Sequence, residues 1–177
     1  MIHIVLYEPE IPQNAGNIMR TAMATGCRLD MIKPYGFIMD ESHLRRAGMD
    51  YIGQADIVEH LDWRHFITQA HGSLFYVTRY GHASPDQFDY RAAAAAGDIY
   101  LVFGKESTGI PKHILKANLD RCMRLPMMAA ARSLNLSNCV AAVTYEVLRQ
   151  LGYPGLSRDE AIKGPDFLER NDFDANH

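Results

Sequence analysis

Apolar and polar positions along this chain alternate between short apolar runs and stretches of helical period. Ile2–Tyr7 is almost continuously apolar, the pattern of a strand covered on both faces. Pro12 follows where a helix can begin, because the N–H it lacks would have had no partner there. The helix predicted over residues 13–25 stops at Gly26. Leu29–Ile32 reads as a second strand, Glu41–Ala47 as a short helix, Asp56–Glu59 as a short strand and Asp62–Ala70 as a helix. Leu74–Thr78 and Ile99–Phe103 are the clearest apolar strands, and Arg121–Leu125 is a shorter one. Between them, Arg91 to Ala96 is helix-prone. Ser133 is the expected cap of the last long helix, whose stripe Leu136, Val140, Val143, Val147 and Leu151 has helical spacing. Gly152 and Pro154 end it. Strands separated by helices imply an α/β fold with a mostly parallel sheet covered on both faces.

With 177 residues, 47% of them hydrophobic, the chain suits one compact domain with a substantial core. The opening residues lack a basic region and meet the polar Glu8-Pro9-Glu10 stretch at once, which fits a strand and not a signal peptide. No apolar run is long enough to span a membrane. Cys27, Cys122 and Cys139 are far apart and form no Cys-x-x-Cys pair. They read as free thiols of a reducing cytoplasm, with neither a disulfide framework nor a metal site. The net charge of −3 comes from the tail: six acids face three bases from Arg158 onward, so residues 1–157 are balanced. A balanced body can still carry a basic patch, so charge neither supports nor excludes an RNA partner. Residues 156–177 read as a polar, acidic tail, expected to be partly disordered.

Three segments carry candidate chemistry. The first, Asn14-Ala15-Gly16-Asn17-Ile18-Met19-Arg20-Thr21, opens the first helix directly after the first strand, where α/β folds gather ligands. Arg20 shares a face with Asn17 and Ala24, opposite Ile18 and Ala22, and so points toward a substrate or another subunit. Taken alone, it reads rather as an ordinary helix cap followed by a surface arginine. The second runs from Leu101 to Pro111. Its Gly104-Lys105 invites a P-loop reading, which fails because Ile99 stands where glycine is required and Glu106 where Ser or Thr is required. What remains is a tight ligand loop, or a strand-to-helix turn opened by Pro111. The third extends from Arg124-Leu125-Pro126 to Arg132-Ser133-Leu134-Asn135-Leu136-Ser137-Asn138. Two serines and two asparagines at one helix start exceed what a cap needs, which favours a site. The glycine-rich turn of the common Rossmann methyltransferases is missing after the first strand, and the eight histidines are scattered, each read as structural or exposed.

In order, Asn-x-Gly-Asn-x-x-Arg, Phe-Gly-x-Glu-x-x-Gly and Arg-Ser-Leu-Asn-Leu-Ser-Asn resemble the three motifs of the SpoU branch of the SPOUT methyltransferases. The match is strongest with its small YibK/TrmL subfamily of tRNA methyltransferases. Tyr7 to Pro12, Leu44 to Gly48, and Tyr145-Glu146 through Pro154 resemble that subfamily as well, so the likeness spans residues 1 to about 155. The resemblance implies a deep C-terminal trefoil knot, an exception to the rule against knots. It implies S-adenosyl-L-methionine as methyl donor, with S-adenosyl-L-homocysteine as product. Matching the family's loops places Val77, Gly104, Leu125 and Ser133 at the donor, Val77 and Leu125 through main-chain groups.

The resemblance further implies a homodimer with its active site at the subunit interface, and tRNA as partner. The reaction is 2′-O-methylation of the wobble cytidine or modified uridine in leucine isoacceptors. Arg20 matches the family's catalytic arginine. Guanidinium stays protonated in proteins, so its expected role is to hold a phosphate and stabilise a developing alkoxide. Arg45 and Arg46 are candidate phosphate contacts or a solvated helix face; Tyr145 is a candidate substrate contact or dimer packing. Ala129-Ala130-Ala131 departs from relatives that often carry Pro, Asp or Ser, so side-chain hydrogen bonds from that loop are lost. The rival readings are 2′-O-methylation of another RNA, such as ribosomal RNA, and a knotted RNA-binding factor without turnover.

Overall fold

The computed structural model describes residues 1–38 and 56–171. The predicted helix Glu41–Ala47, with Arg45 and Arg46, lies outside the described residues. The strands are β1 (Ile2–Tyr7), β2 (Arg28–Ile32), β3 (Ile57–His60), β4 (Gly72–Val77), β5 (Asp98–Phe103) and β6 (Cys122–Met123). They form one sheet in the order β3-β2-β1-β5-β4-β6, with every pairing parallel. The helices are α1 (Pro12–Thr25), α2 (Trp63–Gln69), α3 (Tyr90–Ala96), α4 (Lys112–Lys116), α5 (Leu136–Leu151) and α6 (Phe167–Arg170).

Alternation along the central strands explains why both faces are covered. Ile99, Leu101 and Phe103 of β5 join Ile4 and Leu6 of β1 in a core closed by Ile18 and Ala22 of α1 and by Val140, Val143 and Val147 of α5. The intervening Tyr100 and Val102 turn to the other face, with Val5, Phe66 of α2, and Ile114 and Leu115 of α4. The apolar stripe predicted for the last helix is therefore the face that packs on the sheet. Most element boundaries follow their sequence signals: Pro12 is the first residue of α1, while Gly26 and Gly152 end α1 and α5 at φ 66° and 80°.

Two local expectations need correction. Ser133 does not cap α5; the cap is Asn135, whose side chain accepts from the N–H groups of Ser137 and Asn138. Both residue types cap well, and what decides is where the chain turns into the helix; Ser133 lies two residues earlier, exposed in the preceding loop. The strand expected over Arg121–Leu125 shrinks to Cys122–Met123, because only those residues pair with β4, at Tyr76 and Val77.

The scattered histidines conceal a buried cluster. Asp30, in β2, receives His3 Nδ1 at 2.7 Å on one carboxylate oxygen and His60 Nε2 at 2.7 Å on the other. All three residues are buried. A carboxylate removed from water needs such partners, and this cluster ties β1, β2 and β3 together.

Candidate active site

The sheet order reverses direction between β1 and β5, so the chain leaving their carboxyl ends diverges and opens a cleft there. The loop after β5 and the start of α1 are knitted across it. The N-cap position of α1 is Ile11, which has no side chain able to accept. Glu106 supplies the acceptor instead: its carboxylate takes the N–H of Glu10 at 2.9 Å, that of Ile11 at 3.3 Å and the Asn14 amide at 2.9 Å. A negative charge at a helix N-terminus is also favoured by the helix dipole. Glu10 returns the contact by accepting from the Ser107 N–H and hydroxyl, both at 2.8 Å. Those two bonds hold its carboxyl below the usual range, the hydroxyl bond first. Lys105 pairs with Glu8 at 2.8 Å, and Glu8 adopts a left-handed φ of 47°, an uncommon conformation for a residue with a side chain.

The third motif joins the same network. Asn135 caps α5 with its oxygen and donates its amide to Asn14 Oδ1 at 2.9 Å. Asn14 thus bridges the acid of the second motif and the cap of the third. The second loop also folds back tightly on itself: a Cβ on Gly104 would lie 2.3 Å from backbone atoms of Gly109 and Ile110. Gly104 is therefore glycine for the sake of its own loop, apart from any ligand.

Beside this network lies a cavity of about 1060 Å³. It is walled by the carboxyl ends of β4 and β5, residues 104–112, and the segment from Arg124 to Cys139. Val77, Gly104, Leu125 and Ser133, drawn from three distant parts of the chain, all line it. Arg20 and Tyr145 are not among its described lining residues. Arg20 is exposed on α1, and Tyr145 is about half exposed on α5. Arg45 and Arg46 lie outside the described residues.

The electrostatics of the lining are one-sided. Arg79, Lys112, Arg124 and Arg132 line the cavity together with Lys105, which is paired with Glu8; Glu106 is the one acid among the described lining residues, and its oxygens already hold three donors. A chain of net charge −3 thus still gathers several cations at one opening, which composition could not reveal. Tyr80, Arg79 and Lys112 on this rim had no motif to announce them. Other titratable groups here are held protonated. Burial, helped by a hydrogen bond to Glu8, pushes the Tyr7 phenol up to about 12, and burial raises the Cys139 thiol. Neither is poised as a base or nucleophile at neutral pH. The arrangement is built to bind and orient, with positive charge at its mouth.

Among the described residues, no cluster of His, Cys, Asp and Glu could hold a metal ion, and no helix is long and apolar enough to cross a membrane.

Known proteins share both sequence and architecture with this chain. The family profile of the SpoU rRNA Methylase family matches residues 1–145. A tRNA (cytidine(34)-2'-O)-methyltransferase of Yersinia pestis is 47% identical over 163 residues, covering 88% of this chain and 97% of the relative. The enzyme of that name from Escherichia coli K12 is 46% identical over 157 residues, with the same two coverages. A solved structure from Bacillus anthracis superposes with a TM-score of 0.83 at 44% identity, covering 89% of this chain and 98% of that one. Another, from work on the 2-OH methylation of C/U34 on tRNA, has a TM-score of 0.76 at 40% identity, with 86% and 97% covered. On motifs, fold and family match together, the chain belongs to the SpoU methylase family.

Proposed function

We propose that this chain is a tRNA ribose 2′-O-methyltransferase that modifies the wobble nucleotide, cytidine or a modified uridine, in leucine isoacceptors. S-adenosyl-L-methionine is the methyl donor and S-adenosyl-L-homocysteine the product. One observation carries the reading: a single cavity gathers Val77, Gly104, Leu125 and Ser133 from three distant segments. It does so in a chain 46–47% identical, over nearly their whole length, to enzymes named for this reaction.

The residues present fit the donor. At about 1060 Å³ the cavity lies at the upper end of the roughly 300–1,000 Å³ of small-ligand pockets, ample for the donor. Val77, Leu125 and Leu134 offer apolar walls, while the loops carrying Gly104 and Ser133 bring main-chain and hydroxyl groups. Val77, Gly104, Leu125 and Ser133 would hold the donor, which when bound supplies an electrophilic sulfonium methyl.

The chain's own residues bind and orient the ribose. A guanidinium carries a fixed positive charge, so Arg20 holds the phosphate beside the reacting ribose and stabilises negative charge developing on its 2′-oxygen. Glu106 is occupied as the trans-cap of α1 and is not the base. Arg45 and Arg46 are further phosphate contacts in this reading.

Arg20 stands on the outward face of α1, away from the described cavity lining, and this favours a site completed by a second subunit. We accordingly read the enzyme as a homodimer, with the exposed Tyr145 packing in the interface. Residues 1–155 are the methyltransferase domain and residues 156–177 its tail. A trefoil knot is supported by how closely residues 78–84 embrace β6. Thr78 N–H donates to Met123, Arg124 N–H donates to Ala83 (both 2.9 Å), and a Cβ on Gly81 would meet the Met123 backbone at 2.4 Å. A cytoplasmic location follows from the tRNA substrate.

The test is transfer of labelled methyl from S-adenosyl-L-methionine to total tRNA lacking its ribose methyls, with nuclease mapping of the product. Label on the 2′-oxygen of a wobble nucleotide is expected. Label confined to ribosomal RNA offered in parallel would move the target. No transfer together with failure to bind the donor would leave a knotted RNA-binding factor.

A further inference from the structure

At the mouth of the cavity, Tyr80 exposes about half of its surface (51%) although it stands on a tightly held loop. Its own N–H donates to the Thr78 hydroxyl at 3.3 Å. Arg124 donates to the Arg79 carbonyl at 3.1 Å, and the absent side chain of Gly81 lets the backbone of β6 press against the loop. An exposed aromatic ring on a fixed loop is preorganised, so little entropy is lost when a flat partner stacks on it.

The ring is also flanked by cations. Lys112 Nζ lies 4.8 Å from the ring centroid and the Arg79 guanidinium carbon 5.9 Å. Lys112 is steadied by the Thr108 carbonyl at 3.1 Å, so the ammonium is held between the second-motif loop and the ring. Aromatic surface interleaved with fixed positive charge is the chemistry that binds unpaired nucleotides, by stacking a base and neutralising the phosphate beside it.

We propose that Tyr80, with Arg79 and Lys112, is a stacking platform for an RNA base neighbouring the nucleotide being modified. The proposal rests on the reading that the cavity receives RNA. It assigns the ring to an RNA base and not to the donor's adenine, because Tyr80 is half exposed at the rim and its flanking cations suit the phosphodiester chain. No bond is made or broken here; Tyr80 is a positioning residue.

The experiment uses the full chain and a synthetic anticodon stem-loop carrying 5-iodouridine beside the wobble position. Ultraviolet crosslinking is followed by peptide mapping. In parallel, Tyr80→Ala and Tyr80→Phe are compared in RNA binding, donor binding and steady-state transfer. The crosslink is expected on Tyr80. Tyr80→Ala should weaken RNA binding about tenfold or more, the scale of one lost base stack, with KM for RNA raised and donor affinity and thermal midpoint kept. Tyr80→Phe should stay near wild type. Equal RNA binding by Tyr80→Ala would overturn the platform, and so would a parallel loss of donor binding, which would assign the ring to adenine. If wild type methylates no tRNA yet crosslinks through Tyr80, the functional reading fails and the platform stands. Methylation with crosslinks elsewhere and an unaffected Tyr80→Ala gives the reverse.

Discussion

The amide of Asn135 donates to Asn14 Oδ1 across 2.9 Å, joining residues 121 positions apart. The orientation of both amides is fixed by their other bonds. Asn135 uses its oxygen on the N–H groups of Ser137 and Asn138, and Asn14 uses its nitrogen on Glu106. Asn14→Ala should therefore leave Asn135 and Glu106 each short of a partner and cost about 1–3 kcal/mol of stability. Asn14→Asp should be worse at neutral pH, because it sets a second carboxylate beside Glu106. Thermal unfolding of both variants at neutral pH tests this, and equal stability of Asn14→Asp and Asn14→Ala would contradict it.

Gly104→Ala should collapse the second-motif loop. The added Cβ meets backbone at 2.3 Å, where no flexible side chain can give way. A loss of at least about 1–3 kcal/mol, together with weakened donor binding, is expected. Wild-type stability in this variant would show that the loop has another conformation available.

Arg20→Ala should keep donor binding and lower methyl transfer by about 10²–10³-fold, the usual cost of losing one preorganised electrostatic donor. Single-turnover transfer measured beside donor affinity separates the two effects. Unchanged transfer would remove Arg20 from the mechanism.

The Glu10–Ser107 clamp predicts a pH dependence. The carboxyl of Glu10 is held below the usual carboxylate range, chiefly by the Ser107 hydroxyl. A depressed folded-state pKa stabilises above the unfolded value, and that contribution is lost as pH falls through the lower folded value. Ser107→Ala should thus be less stable than wild type at neutral pH, with the gap closing as the pH drops below about 4. A gap that stays constant to pH 3 would assign the effect of Ser107 to packing.

Asp30→Asn should be among the more damaging single changes in the chain. Asp30 is buried between His3 and His60, and an amide cannot accept from both rings with both of its polar atoms. Leaving a buried ring N–H without its acceptor costs about 1–3 kcal/mol. Chemical denaturation measures it, and a loss below about 1 kcal/mol would show that neighbouring groups compensate.

The sequence by itself determined the class of fold, because two-faced apolar strands such as Ile99–Phe103 and one-faced helices such as Leu136–Leu151 leave few ways to bury their surfaces. It also determined where most elements begin and end, since Pro12, Gly26 and Gly152 act through their own backbones. The motifs were legible as polar groups in excess of local need. Their bonding to one another was not, because hydrogen bonds between residues some hundred positions apart leave no periodic trace. Only the tertiary structure decided that Asn135 and not Ser133 caps α5, and that Glu106 caps α1 from another loop. It alone drew His3 and His60 onto Asp30, and set Tyr80 among the cations of a basic rim in a chain of net negative charge. Periodicity records which face of an element avoids water; it does not record which other element will meet that face. That choice belongs to the packing of the whole sheet.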